Sequence, residues 1–352
     1  MIRTSQFQFK KVKKDSFLFS ITIFLILLFS FSFFSQTVPK AIKFPENAKG
    51  NYFVKVFYEK DGELFNFYSV NLFEVPFQLK VYIGNLSLFK YSESFPFYFI
   101  SKAKEGKKFL FSLKTNEKIE PKFWLEICVG DPLSSSMDNY IYTLPYEHNK
   151  EFFVYQGYNS NFTHKGSASY SIDFSMPIGT PICAVRDGIV YNVVDNNNKS
   201  GLSSYYAKYS NFISIYHPDG TYSIYAHIKY KGSIVKVGEK VKSGQIIGYS
   251  GNTGRTSGPH LHLQINLPTY MSHKSVPVPF LDIDGNGYYI KEGKTYRSIH
   301  IEYLTEPAYQ NFLNNINSQF ALFPFIYYVK PRHQPLLDDD TIINYPEEEF
   351  ED

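Results

Sequence analysis

Cysteine is scarce in this chain, which has only Cys128 and Cys183 among its 352 residues. Domains that depend on disulfides carry many more cysteines, so a disulfide scaffold is excluded. One bridge between the two cysteines and two separate buried thiols both stay open, because pairing depends on a geometry that spacing alone does not give.

A strong excess of one charge is also lacking. Lysine and arginine number 36, aspartate and glutamate number 33, and the formal net charge is +3. The basic excess is concentrated in residues 3–14, so no basic surface typical of a nucleic-acid-binding domain is indicated. Nucleic acid is therefore not expected as a partner.

Apolar runs long enough to cross a membrane are absent except for residues 16–34, SFLFSITIFLILLFSFSFF. Basic residues precede this run, as they do in export segments. Residues 1–36 are therefore predicted to be either a cleaved signal peptide or a retained N-terminal anchor, with membrane attachment through residues 16–34. The rest of the chain is expected outside the cytoplasm, in the periplasm, the cell envelope or the extracellular space.

Two β-rich domains are predicted. Residues 45–135 alternate aromatic or β-branched residues with polar ones, as in YFVKVFYEKDGELFNFYSVNLF, with Asp61-Gly62 as a turn. This pattern predicts an accessory domain of small β-sandwich type, in which the lone Trp124 is assigned to packing in the core. After a turn-rich connector, residues 145–300 carry a denser pattern of short strands separated by glycines.

Residues 301–352 are predicted to be a short helix followed by an acidic tail. Phe312, Ile316 and Phe320 are spaced at helical intervals, which predicts a helix that packs on a domain. From Asp338 to the end, eight aspartates and glutamates occur with no lysine or arginine, as in a solvated tail.

The segment SGPHLHLQI, residues 257–265, places two histidines on one face of a strand. Side chains two positions apart in a strand share a face, so His260 and His262 face one side and the flanking leucines the other. A pair of imidazoles in one groove is a common component of a metal site.

Other candidate ligands lie upstream. His164 follows NFT, and Asp173 lies in the strand-like YSIDF after a loop rich in glycine and serine. With a histidine of the His-x-His pair these residues make a His2Asp set, which leaves one position of a zinc ion open, as catalytic zinc sites require. His227 is predicted in the second strand of a hairpin that turns at Pro218-Asp219-Gly220.

No HExxH motif occurs, so the glutamate base of the helical zinc proteases is absent from the sequence. Proton transfer would then fall to the histidines that do not bind metal, for which His227 and His260 are the candidates.

The motifs HKG at His164, YSIDFSMPIGTPICAVRDGIV, YAHI at His227 and VKVGEKVKSGQIIGYSGNTGRTSGPHLHLQI together resemble the lysostaphin-type (LytM-like) zinc metallopeptidases. The resemblance covers residues 150–270. It implies an antiparallel β groove domain and a zinc-dependent endopeptidase that hydrolyses peptide cross-links of peptidoglycan, with a zinc-bound water as nucleophile assisted by histidine. Peptidoglycan stem peptides and cross-bridges would be the partners.

Site residues carry over by motif. The resemblance implies one zinc ion bound by His164, Asp173 and His262, with His227 and His260 as the catalytic pair. One departure concerns spacing, since His164 and Asp173 are nine residues apart, whereas many members of the family place them four apart. The loop between the two ligands therefore has its own shape here.

Three alternatives concern binding rather than catalysis. The glycine spacing of VKVGEKVKSGQIIGYSG also resembles lipoyl and biotinyl carrier domains, but the lysine motif of the carriers is lacking. A catalytically silent envelope-binding or hydrolase-activating module is the second alternative, although none of the five site residues is missing. Residues 282–287, DIDGNG, match the first half of a calcium loop, yet position twelve is Gly293, so a hairpin turn is expected there.

Overall fold

The computed structural model describes residues 44–51 and 53–318, and all elements named below lie in the compact unit that begins at Asn47. Most of these elements are β-strands in antiparallel sheets, which confirms the prediction of a mainly β protein. Within the described residues, no helix is both long enough and apolar enough to cross a membrane. The apolar run at 16–34, Phe320 and the acidic tail lie outside the described residues.

The first sheets form a sandwich. Sheet β1-β2-β3-β6 faces sheet β5-β4-β7 across a core of large apolar side chains, in which Phe67, Leu79 and Phe111 are fully buried. The strands are β1 (Lys49–Gly50), β2 (Val54–Asp61), β3 (Leu64–Asn71), β4 (Phe77–Ile83), β5 (Phe97–Ser101), β6 (Lys108–Lys114) and β7 (Phe123–Val129).

Alternation explains which side chains enter this core. In β3 every second residue is buried, from Phe65 to Asn71, and β2 pairs with β3 around the predicted turn at Asp61-Gly62. The assignment of Trp124 to the core is wrong, because its side chain is 52% exposed and stacks on Tyr82 on the outer face of the sheet. Trp124 alternates with buried Phe123, which puts it on the solvent side.

The second sandwich-like assembly contains the remaining strands around one large apolar core. Its nine-stranded sheet follows the order β16-β11-β13-β14-β19-β9-β8-β23, with β20 paired to β19. These strands are β8 (Glu151–Gln156), β9 (Ser171–Phe174), β11 (Gly188–Val194), β13 (Phe212–Tyr216), β14 (Tyr222–Ala226), β16 (Lys240–Val241), β19 (Leu261–Thr269), β20 (Ser272–Ser275) and β23 (Thr295–Arg297).

Smaller sheets complete this part of the chain. A three-stranded sheet has the order β10-β17-β15, and two strand pairs, β12-β18 and β21-β22, lie outside it. Their strands are β10 (Pro181–Cys183), β12 (Ser200–Gly201), β15 (Ile228–Ser233), β17 (Ile246–Ser250), β18 (Gly254–Arg255), β21 (Phe280–Leu281) and β22 (Gly287–Tyr288). The only α-helix among the described residues, α1 (Glu306–Ser318), buries Phe312 against Ile141, Leu281 and Ile299.

The sandwich is attached to the large sheet by specific contacts. The Gln78 side-chain amide donates to the carbonyl oxygen of Thr269 (2.9 Å), and its Oε1 accepts from the backbone N–H of Met271 (2.9 Å). Tyr191 and Tyr216 of the large sheet pack against the sandwich core. The sandwich therefore contacts the turn that joins β19 and β20. β19 is also the strand that carries His262.

Three further predictions concern residues away from the site. Cys128 and Cys183 are free thiols, so the alternative of a bridge between them is not formed. The segment from Asp282 to Asn286 is the expected hairpin turn between β21 and β22, since Asp282 Oδ1 accepts the N–H groups of Asp284 and Asn286. The turn at Pro218-Asp219-Gly220 is also present, closed by the bond from His217 N–H to Thr221 O (2.8 Å).

Candidate metal centre and active-site pocket

Sheet register brings the candidate metal ligands together. Across neighbouring strands β8, β9, β19 and β14, Gln156 is paired with Asp173, Asp173 with His262, and His262 with Ala226. Side chains at paired positions point to the same face of a sheet. Residues that are distant in sequence therefore form one row, and His227 follows directly at its end.

Three candidate ligand residues meet at this row, to which a loop adds His164. His164 Nε2 lies 3.2 Å from Asp173 Oδ2, and His262 Nδ1 lies 2.8 Å from Asp173 Oδ1. One potential ligand atom from each of the three residues lies within 4.8 Å of the others. The residues that the sequence predicts as metal ligands are thus adjacent, and the set contains two imidazole nitrogens and one carboxylate.

The bonding of His164 tests whether a cation fits this set. Its Nδ1 donates to the carbonyl oxygen of Gly157 (2.8 Å), so the Nε2 atom of the neutral ring carries a lone pair. Nε2 is buried and has no hydrogen-bond partner, although it faces the carboxylate of Asp173. Two electron-rich atoms this close require a proton or a cation between them, and a divalent metal ion meets this requirement.

The electrostatics of Asp173 agree with this interpretation. Its side chain is only 3% exposed. Burial opposes its ionisation, but the adjacent His164 ring and the hydrogen bond with His262 outweigh burial and hold the pKa of Asp173 well below its usual range. Burial likewise opposes the charge of His164, while Asp173 raises the pKa of that ring. A buried carboxylate kept ionised in this way is suited to bind a cation.

Gln156 connects two parts of the site, and the sequence interpretation missed it. Its side-chain N–H donates to Asp173 Oδ2 (2.7 Å), and its Oε1 accepts from both the N–H and the hydroxyl of Thr163 (3.1 Å each). Thr163 directly precedes His164. One amide therefore fixes the orientation of the carboxylate and the start of the loop that carries the histidine.

The loop between His164 and Asp173 accommodates the long spacing of these two residues. After His164 the chain makes a 3-10 turn at Gly166–Ala168, where Gly166 has φ +58°, and then enters β9 at Ser171. The two side chains still meet. The unusual spacing therefore changes the shape of the loop and leaves the ligand pair intact.

If the three residues hold a metal ion, replacing Gln156 by leucine is expected to weaken metal binding by about ten- to a hundredfold, because partners that orient metal ligands contribute on this scale. Competition with a chromogenic chelator for added zinc would measure the affinity. Gln264→Leu is the matched control, since Gln264 is a buried glutamine on β19 that does not line the pocket. Equal metal affinity of the Gln156 variant and the wild type would contradict this role.

His227 and His260 form a second pair of imidazoles beside the ligands. Their ring centroids are 4.5 Å apart, and the His227 ring is 6.0 Å from that of His262. His227 lies between β14 and β15, with φ +63°, rather than within the strand as predicted. The left-handed backbone at this position turns the chain out of the sheet at the point where the imidazole is needed.

Both rings of this pair are held by backbone carbonyl oxygens. His227 Nδ1 donates to Thr253 O (2.7 Å) and His260 Nδ1 donates to Gly258 O (2.8 Å), which leaves Nε2 of each ring available to a ligand. Burial, with the neighbouring His260 and His262, lowers the pKa of His227 to about 3. Burial also lowers the pKa of His260. Near neutral pH both rings are therefore uncharged, and Nε2 of each is a hydrogen-bond acceptor.

All five residues selected from the sequence line one pocket of about 360 Å³. Several other lining residues were missed, because they come from strands and loops that only the tertiary structure brings here. The ring of Tyr155 contacts that of His260 edge-on at 5.4 Å, and the remaining residues of this group are Gln156, Phe162, Thr163, Leu202, Arg255, Thr256 and Ser257.

His217 and His273 do not line this pocket. Buried His217 donates from Nδ1 to Asp187 O (2.8 Å), and its Nε2 lies 3.1 Å from Ser223 Oγ. The role of His217 is therefore structural, in support of the predicted turn.

Comparison with known proteins is consistent with this geometry. Residues 167–276 match the model of Peptidase family M23, so the match includes all the site residues that the sequence predicted except His164. The chain is 34% identical over 178 residues to an uncharacterized metalloprotease of Buchnera aphidicola subsp. Baizongia pistaciae, a match that covers 49% of this chain and 39% of the relative.

Two relatives have more specific names. Lysostaphin of Staphylococcus staphylolyticus is 38% identical over 125 residues, covering 35% of this chain and 24% of its own length. Peptidoglycan DD-endopeptidase ShyA of Vibrio cholerae is 43% identical over 93 residues, covering 26% of this chain and 19% of its own length. The matches thus span less than two fifths of the length of these relatives.

Among solved structures, the catalytic domain of lysostaphin from Staphylococcus simulans is similar, with 32% identity, coverage of 36% of this chain and 88% of that domain, and a TM-score of 0.26. The family match covers Asp173 in β9, His227 between β14 and β15, and the His-x-His pair at the start of β19. Residues 167–276 are therefore a domain of Peptidase family M23, and the resemblance to the lysostaphin-type peptidases is confirmed.

Proposed function

We propose that the protein is a zinc-dependent endopeptidase that hydrolyses peptide cross-links of peptidoglycan in the cell envelope. The observation that carries this proposal is the His164-Asp173-His262 donor set, in which His164 and Asp173 are buried, next to two uncharged imidazoles in one pocket. Relatives named as a peptidoglycan DD-endopeptidase and as lysostaphin support the substrate class.

Zinc is the metal that fits these donors best. Two imidazole nitrogens and a carboxylate are a usual set of three protein ligands in catalytic zinc sites, which keep a further position open. We assign the ligands to His164, Asp173 and His262, with one ion per chain. When bound, zinc supplies Lewis acidity, which activates water and polarises a peptide carbonyl.

We assign His227 and His260 to proton transfer. Since Nδ1 of each ring donates to a carbonyl oxygen, Nε2 of each neutral ring is an acceptor and can take the proton of the attacking water. The ring that has taken the proton becomes a donor at Nε2. It can then hydrogen-bond the developing oxyanion or pass the proton to the leaving amine nitrogen.

The short distance between the two rings limits their charge. Two imidazolium rings with centroids 4.5 Å apart would repel each other, so only one of the pair is expected to be protonated at a time. This arrangement suits one transferred proton per turnover. Tyr155, edge-on to His260, packs this ring into its position.

Peptidoglycan lies outside the cytoplasm, so the proposal requires export. Residues 1–36 are proposed to direct it, as signal peptide or anchor. A catalytically silent module that only binds the envelope or activates a hydrolase has no use for five convergent metal-binding and proton-transfer groups, and the complete set favours an active enzyme.

The proposal is tested by incubating the zinc-loaded protein with defined cross-linked peptidoglycan fragments and identifying the products by mass spectrometry. Cleavage at one peptide bond, lost after chelation and restored by zinc, is expected. Metal analysis should give one zinc per chain. Zinc binding without cleavage of any cross-linked fragment would contradict the enzymatic assignment and favour the silent module.

A further inference from the structure

Arg255 is the only lysine or arginine among the residues that line the pocket. Its side chain is exposed, and its Nε donates to the carbonyl oxygen of Leu202 (3.3 Å). No carboxylate of the described residues forms an ion pair with it, and the one carboxylate that lines the pocket, Asp173, is held by His164 and His262. The terminal nitrogens of Arg255 are therefore available to an anion.

The backbone around Arg255 is fixed. Strand β18, which contains Arg255, pairs with β12, and bonds from Gly254 N–H to Lys199 O (2.8 Å) and from Thr256 N–H to Gly201 O (3.0 Å) bracket it. Gly254 has φ +83°, and a Cβ there would lie 2.6 Å from the Cα of Ser210. Arg255 is thus carried by a closely packed strand pair, so its position is set before any ligand arrives.

The segments around this strand pair, residues 196–211 and 251–258, form a cationic wall beside the pocket. They contain Lys199, Lys208 and Arg255 and no aspartate or glutamate. The two lysines are placed over tyrosine rings, with Lys199 Nζ 4.9 Å from the Tyr209 ring and Lys208 Nζ 4.6 Å from the Tyr205 ring. Among the described residues no carboxylate forms an ion pair with these three side chains, and Arg255 is the member that lines the pocket.

We propose that Arg255 binds a free carboxylate of the substrate next to the scissile bond, and that the enzyme therefore prefers cross-links between stem peptides over uncharged glycine bridges. A guanidinium group binds a carboxylate through two parallel hydrogen bonds, which gives both affinity and orientation. Glycine bridges have no side-chain carboxylate. This inference rests on the proposed peptidoglycan endopeptidase function.

Two carboxylates of a cross-linked stem peptide could supply this charge. One belongs to the diamino acid whose side-chain nitrogen forms the scissile bond, and the other to the terminal D-alanine of the same strand. Four substrates distinguish the sources: a cross-linked dimer with both carboxylates free, the same dimer with the diamino-acid carboxylate amidated, a dimer without the terminal D-alanine, and pentaglycine amidated at its C-terminus, which has no carboxylate.

Steady-state kinetics of the full chain, zinc-loaded, would be measured for the wild type, Arg255→Gln, Arg255→Lys and Lys208→Gln. Arg255→Gln is expected to lower kcat/KM by roughly tenfold or more for the cross-linked dimer that has both carboxylates free. The effect should be mainly on KM, because a charge-assisted hydrogen bond to the substrate is lost. The substrate that lacks the recognised carboxylate should be cleaved equally by this variant and the wild type. For the dimer with both carboxylates free, kcat/KM of Arg255→Lys should lie between the values of Arg255→Gln and the wild type. Lys208→Gln should have the kcat/KM of the wild type.

The outcomes separate this inference from the function on which it depends. Equal losses on every substrate would show that Arg255 acts only through its bond to Leu202, and an unchanged KM would show that it does not bind substrate. Preferential cleavage of pentaglycine by the wild type would also overturn the inference, while leaving the endopeptidase intact. Cleavage of none of the four substrates by the wild type would contradict the proposed function itself.

Discussion

Zinc binding and hydrolysis are both expected to be lost when His262 is replaced by alanine. The substitution removes one of three protein donors and leaves His164 and Asp173 with no third ligand. Partners that only orient metal ligands already contribute ten- to a hundredfold in affinity, so loss of a direct ligand should weaken zinc binding by roughly a hundredfold or more. Metal analysis and hydrolysis of a cross-linked dimer would measure the two effects.

His273→Ala is the matched control for this experiment. His273 lies on β20, the strand next to His262, and does not line the pocket. Because His262→Ala also takes a hydrogen-bond partner from buried Asp173, thermal unfolding without metal would be compared for both variants. A folded His262→Ala protein that retains one zinc per chain would contradict the ligand assignment.

Replacing His260 by alanine is expected to keep most of the zinc and to lower the rate of hydrolysis by roughly a hundredfold or more. His164, Asp173 and His262 remain in place, while a proton-transfer or oxyanion-stabilising group is removed, and such groups contribute on this scale. The effect should be on kcat, with zinc affinity within a few fold of that of the wild type.

The comparison of His262→Ala with His260→Ala tests which histidine of the His-x-His pair binds the metal and which takes part in the chemistry. Equal loss of zinc in both would place His260 among the ligands. Full activity of His260→Ala would remove it from the chemistry, even if the protein is an endopeptidase. His227→Ala, which breaks the contact between the two rings, is expected to resemble His260→Ala rather than His262→Ala.

The assignments that sequence predicted well depend on short-range rules. Alternation in a strand puts His260 and His262 on the same side and buries the flanking Leu261 and Leu263. The Pro218-Asp219-Gly220 turn follows from local backbone preferences. The same alternation rule places Trp124 on the side of Glu126, away from the core. The prediction that Trp124 is in the core was wrong because it considered the aromatic residue type and not the position in the strand.

The sequence alone predicted the mainly β class, the His-x-His strand and the five candidate residues, since these follow from local periodicity and from motifs in a fixed order. Other features of the site depend on how the strands pair. The tertiary structure alone paired β8 with β9 and β9 with β19, and so placed Gln156 against Asp173 and left His164 Nε2 facing a buried carboxylate. It also brought Arg255 to the pocket through the β12-β18 pair. Contacts of this kind join residues on different strands and loops, and no local preference of the chain specifies which strands become neighbours.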